Sequence, residues 1–103
     1  MNEDLIKEIL HYFDTDSLLK LENTKLEKLL YNKRVWKNRI IKYHNLEKYK
    51  KYPIQVLYCR QTKITDKGLK HVPNLTKLEC WDTSITDEGL KYIPNLISLD
   101  RYA

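Results

Sequence analysis

The side chains of this sequence that could do chemistry are few: two cysteines, three histidines, and a run of lysines and arginines threaded with tyrosines. Cys59 and Cys80 could form a redox or metal-binding pair, but they stand 21 positions apart with no CxxC or HxxH companion. Buried thiols in a repeating core are the plainer reading. His11, His44 and His71 fall in three separate segments, none at a recognisable spacing from a nucleophile or an orienting carboxylate. There is no catalytic serine motif and no P-loop. Gly68 and Gly89 occupy equivalent repeat positions and do not form a phosphate-cradling loop. The expectation is therefore a protein that is not an enzyme and has no cofactor and no metal site. The basic stretch Lys33, Arg34, Lys37, Arg39, Lys42, Lys48, Lys50 and Lys51, interleaved with Tyr43, Tyr49 and Tyr52, could bind nucleic acid by phosphate contact and stacking. A solvated third helix and linker is the simpler account of the same residues.

The elements that would position these groups are bounded by composition. A chain of 103 residues makes one domain or two very small ones. Charged residues at 32% and apolar residues at 42% are values of a folded, not a disordered, protein. No run of 18 apolar residues occurs, which excludes a spanning helix. The acidic opening Met1-Asn2-Glu3-Asp4 is not a secretory signal. Two cysteines are too few for a disulfide scaffold, which points to a reducing compartment, cytoplasmic or nuclear. The net charge of +5 is concentrated in residues 33–51, with 8 basic side chains against 1 acidic.

An internal repeat is the clearest signal. LYCRQTKITDKGLKHVPNLTK, from Leu57 to Lys77, and LECWDTSITDEGLKYIPNLIS, from Leu78 to Ser98, agree at 12 of 21 positions without a gap. In each unit Leu57 and Cys59, or Leu78 and Cys80, alternate with polar or aromatic residues, the period of a short strand. Thr65 or Asp66, and Thr86 or Asp87, are suited to cap a helix whose inner face carries Leu69 and Val72, or Leu90 and Ile93. Pro73 and Pro94 end it. Ile54, Leu75 and Leu96 then lead into the successive strands. Units this short share one core only by stacking, with parallel strands about 4.8 Å apart. The pattern resembles the leucine-rich-repeat family (L-x-x-L-x-L with a variable return) at Leu75, Leu78 and Cys80 and again at Leu96 and Leu99. Arg101 stands where cysteine stood in the earlier units, so the ladder is expected to fray there with Arg101 in solvent.

Residues 1–44 have the helical period instead. Leu5, Ile6, Ile9, Leu10 and Phe13 mark one helix. After the cap cluster Asp14-Thr15-Asp16-Ser17, Leu18, Leu19, Leu21, Leu26, Leu29 and Leu30 mark a second. Val35, Trp36, Ile40 and Ile41 mark a third. This half resembles the F-box family. Met1 to Phe13 follows its Leu-Pro-x-Glu-Leu-Leu-x-x-Ile-Leu-x-x-Leu opening, Asp16-Ser17-Leu18-Leu19-Lys20-Leu21 its second part, and Trp36 its third-helix tryptophan. Met1-Asn2 replaces Leu-Pro, and Asn23-Thr24-Lys25 replaces the family's Val-Cys-x-x-Trp cluster. The resemblance implies docking on a Skp-type adaptor of a cullin-based SCF ubiquitin ligase. F-boxes of this kind are often followed by leucine-rich repeats.

The expected fold is thus α+β: a three-helix F-box-like module at 1–44, a basic linker at 45–53, and parallel-stranded repeats at 54–77 and 78–98 with a partial unit at 99–103. Leu5, Ile9, Leu10, Phe13, Leu18, Leu21 and Trp36 would contact the adaptor, since so small a bundle cannot enclose them all; simple core packing is the alternative for each. Tyr58, Arg60, Lys77, Glu79 and Trp81 would face outward from the strands and contact a protein partner, or be ordinary solvated surface. The function expected is that of a substrate-presenting F-box adaptor. A truncated competitor that occupies the adaptor without substrate, and a basic nucleic-acid-binding module, are the other classes. Alanine occurs once and glycine twice, while the AT-codon residues Lys, Ile, Asn and Tyr are abundant. That bias and the short, degenerate architecture resemble giant DNA virus proteins, which would place the chain in host-cell cytoplasm.

Overall fold

In the computed structural model, which describes residues 3–60, 62–81 and 83–101, the chain opens with α1 (Glu3–Leu10). Met1 and Asn2, the counterpart of the Leu-Pro pair, lie outside the described residues, as do the last two residues of the partial unit at 99–103. Asp14 caps α2 (Thr15–Leu19) by accepting the Ser17 amide at 2.7 Å. The long second helix expected through Leu30 does not form. Asn23 sits at φ 65°, in the left-handed region that asparagine tolerates. Leu29 and Leu30 reach the core from a 3-10 turn over Glu27–Tyr31. Asn32 then caps α3 (Lys33–Trp36), accepting the Arg34 amide at 2.9 Å.

Asn38, at φ 62°, stops α3 after one turn. Ile40 and Ile41, expected on the third helix, form β1 (Ile40–Lys42) instead. Between them, Arg39 donates from its guanidinium to the carbonyls of Leu10 (2.9 Å), His11 (3.2 Å) and Phe13. These acceptors are at and just beyond the end of α1, where helical carbonyls lack partners and a cation is favoured. The third segment is thereby tied to the first.

The residues expected as a solvated linker, 45–53, are folded. They contain α4 (Leu46–Tyr49) and bury Leu46, Tyr49 and Tyr52. β2 (Val56–Tyr58), β3 (Lys77–Glu79) and β4 (Ser98–Asp100) follow. Together with β1 they make a four-stranded sheet, ordered β1-β2-β3-β4 and parallel throughout. The register aligns Ile41, Leu57, Leu78 and Leu99 on the inner side. The first three are at most 2% exposed, whereas Leu99 at the open edge is 37% exposed. The ladder continues past the named strands, since the Cys80 amide donates to Asp100 O at 2.9 Å. Arg101 is exposed, as expected from the sequence, and donates to Asp87 at 3.0 Å. One continuous hydrophobic core runs from Leu10 to Ile93, so helices and strands form a single α+β body. Among the described residues, no helix is long and apolar enough to cross a membrane.

The return segments are 3-10 turns, Asp66–His71 and Gly89–Tyr92, rather than the capped helices the sequence implies. Asp66 does not cap its own turn. Its carboxylate accepts the amide (2.7 Å) and hydroxyl (2.5 Å) of Thr86 in the next unit, which ties neighbouring units together on the side away from the sheet. A Cβ built on Gly89 would lie 2.3 Å from Asp66 Oδ1, so this glycine makes room for that carboxylate. Gly89→Ala is expected to cost about 1–3 kcal/mol in urea unfolding, the usual scale of forced overpacking. Gly68→Ala, whose Cβ would meet only Ile64 Cγ1 at 3.0 Å, should cost less.

The hydroxyl and amide of Thr86 also hold the Asp66 carboxyl below its ordinary value of 3.8. A depressed folded-state value stabilises the fold at pH above the unfolded-state pKa. That contribution disappears as pH falls through the lower folded value. Asp66→Asn is therefore expected to flatten the acid limb of the stability curve below about pH 4, measured as urea midpoint against pH.

Candidate functional site

Two surfaces among the described residues carry the side chains expected to meet partners. The first is on α1. Ile6 and Leu10 point to the core, with Leu10 only 3% exposed. Leu5 (50% exposed) and Ile9 (42%), one turn apart, form a second apolar stripe in solvent, and Tyr12 and Phe13 extend it. The structure divides the residues expected to contact an adaptor. Leu5, Ile9 and Phe13 are exposed, Leu21 is half-buried, and Leu10, Leu18 and Trp36 are core. Trp36 in particular is fully enclosed, and its indole N–H donates to Leu30 O at 2.7 Å. These three side chains are satisfied inside the chain and are not available to a partner.

The second surface is the outward side of the sheet. Lys42, Tyr58, Glu79 and Asp100 stand side by side in register, basic at the β1 end and acidic at the β4 end. Arg60 lies over Trp81, 4.0 Å from the ring centroid, and pairs with Glu79 through Nε and Nη2. Of the residues expected to face outward, Arg60 is exposed and Tyr58, Lys77 and Trp81 are half-buried. Glu79 departs from the expectation of a solvated side chain, being 5% exposed. Its carboxylate is shielded where the Arg60 guanidinium, anchored on Trp81, engages it. An unpaired carboxylate in such a place would be costly, so the arginine, the indole and the glutamate act as one unit.

Beside that unit, where β1 and β2 end, Lys42, Tyr43, His44, Tyr58, Arg60 and Thr62 line a cavity of about 440 Å³. This volume lies in the range of small-ligand sites. Tyr43 and His44 come from a 3-10 turn after β1. Thr62 is held by its hydroxyl donating to Cys59 O at 3.0 Å, as Thr83 donates to Cys80 O in the next unit. Sequence reasoning missed this cavity because it read Ile40 and Ile41 as helical. The sequence held no signal for β1, because Ile40 and Ile41 are both apolar and three residues are too short a strand to reveal a period.

The other chemistry-bearing groups do not converge. Cys59 and Cys80 are buried free thiols. Burial, with Cys80 and Glu79 nearby, pushes the Cys59 thiol up to about 12, so it is a poor nucleophile at neutral pH. Among the described residues, no group of three or more His, Cys, Asp or Glu side chains is placed to hold a metal ion. Part of the basic stretch is engaged within the chain. Arg39 holds the end of α1, while Lys50 pairs with Glu47 at 2.8 Å and Lys51 with Glu22 at 2.5 Å. No protein-family model matches this chain, and the searches found neither a similar curated protein nor a similar solved structure.

The coupling of Arg60 to Glu79 is measurable. Arg60→Ala is expected to destabilise by about 1–3 kcal/mol, because it leaves a shielded carboxylate without its partner. In the Arg60→Ala/Glu79→Gln double mutant most of that loss should be recovered, giving a coupling energy of about 1–2 kcal/mol. Strictly additive single-mutant losses would show that the pair is not a unit.

Proposed function

We propose that this chain is a non-enzymatic adaptor of the F-box and leucine-rich-repeat type. In this reading its helical part docks on a Skp-type subunit of a cullin-based ubiquitin ligase, and its strand face holds a protein partner. Ubiquitin transfer would belong to the other subunits. The observation that carries the proposal is the second apolar stripe of α1. Leu5 and Ile9 remain half-exposed although the same helix already contributes Ile6 and Leu10 to the core. A helix that is apolar on two sides has one side left for another surface. The 21-residue register that brings Val56, Lys77 and Ser98 into line supports the stacked-repeat part of the reading. Aromatic and arginine side chains on the strand face, Tyr58, Arg60 and Trp81, are types enriched at binding hot spots.

The test is affinity for a purified Skp-type adaptor. Leu5→Asp and Ile9→Asp alter exposed positions and should leave the far-UV circular dichroism spectrum unchanged. Each is expected to weaken binding at least tenfold, about 1.4 kcal/mol or more. Lack of binding by the unaltered chain, or undiminished binding by both variants, would contradict the proposal.

A further inference from the structure

The 440 Å³ cavity at the ends of β1 and β2 has a definite chemistry. Among the described residues, its lining holds three basic side chains, Lys42, His44 and Arg60, and no carboxylate. The nearest acid in the outward row, Glu79, is paired with Arg60. Lys42 is exposed at the rim, and the Arg60 side chain is 54% exposed beside its glutamate partner. Arg60 is held in orientation by Glu79 and Trp81, which lowers the entropy lost when it meets a ligand. These features call for an anion.

The walls narrow the class. Tyr43 and Tyr58 contribute two aromatic side chains to a space much larger than one oxyanion. Inorganic phosphate would satisfy the cations and leave the ring-lined part filled with water. A phosphate joined to an aromatic ring satisfies both. A single-stranded nucleic acid is favoured less, because it needs a row of free cations along the backbone. Here the basic side chains of the cavity lining are only Lys42, His44 and Arg60 among the described residues, and Arg39, Lys50 and Lys51 are not part of it.

We infer that this cavity is a recognition site for the phosphorylated tyrosine of a partner protein, with Lys42 and Arg60 on the phosphate and Tyr43 and Tyr58 against the ring. The inference rests on the strand face being the partner-binding surface, and it makes that binding conditional on phosphorylation of the partner. No bond is made or broken at the site.

The probe is N-acetyl-phosphotyrosine amide, titrated into the ¹⁵N-labelled full chain and followed by backbone amide shifts. Unphosphorylated N-acetyl-tyrosine amide, inorganic phosphate and a short oligothymidine are run in parallel. The phosphorylated amide should shift Lys42, Tyr43, Tyr58 and Thr62 amides and bind at least about tenfold tighter than either the tyrosine amide or phosphate alone. Lys42→Glu should abolish the shifts while the spectrum elsewhere stays unchanged. Lys42→Arg should retain them. Equal affinity for the phosphorylated and plain amides, shifts that survive Lys42→Glu, or preferential binding of oligothymidine would each overturn the inference. Adaptor binding through Leu5 and Ile9 is measured separately on Lys42→Glu. If that binding persists while the phosphotyrosine shifts never appear, this inference fails and the adaptor reading stands.

Discussion

The packing of Trp36 against Tyr49 and Tyr52 is the contact on which the rest of the structure depends. The indole stacks on Tyr52 at 5.4 Å with 14° between the planes, and meets Tyr49 edge-on at 5.8 Å. Each tyrosine hydroxyl then reaches back to the helical region, Tyr49 to Asp16 at 3.2 Å and Tyr52 to Glu22 at 2.6 Å. Large rings with satisfied polar ends supply much apolar burial to a short chain. Without them, the short helices of the first half would make a marginal core. Burial, and then the carboxylate of Glu22, raise the Tyr52 hydroxyl above its ordinary pKa, which favours the protonated form that donates to Glu22.

This cluster explains how two periodicities become one body. It places α3 so that Asn38 can reverse the chain, Arg39 can hold α1, and β1 can pair with β2. The first strand of the ladder is thus supplied by the helical half. Because Ile41 belongs to the common core, β1 covers one side of β2 with a strand that is itself anchored. At the other end Leu99 is 37% exposed and Ile97 87% exposed, and burial is least complete there. Because the core absorbs Leu10, the apolar surface that α1 itself exposes is confined to Leu5 and Ile9, with Tyr12 and Phe13 just beyond its end. The cavity at the ends of β1 and β2 is a second product of the same junction, with Lys42 to His44 on one side and Tyr58 to Thr62 on the other.

What could be read in the sequence was what repeats. Alternation and the 21-residue spacing located β2, β3 and β4, their inner residues and the open edge. The junction was not legible, for identifiable reasons. Asparagine in the left-handed region at 23 and 38 broke helices whose apolar period continued across the break. Lysines around Tyr49 and Tyr52 gave that segment the composition of a linker, while its rings were core. Burial of Glu79 depended on Arg60, 19 residues away and in another unit, and no local pattern encodes that pairing. On α1 the helical period identified both stripes, but not which of them the core would take.

The central claim is that the helical half and the strand ladder are one cooperative unit held together by the aromatic cluster. Urea unfolding followed by amide resonances tests it most directly, using Leu18 and Leu30 to report on the helical half and Leu57 and Leu78 on the sheet, in the unaltered chain and in Tyr52→Ala. Both groups are expected to share one midpoint, moved together to lower urea by the substitution. Sheet resonances that persist after the helical ones are lost, or a Tyr52→Ala effect confined to one group, would contradict it.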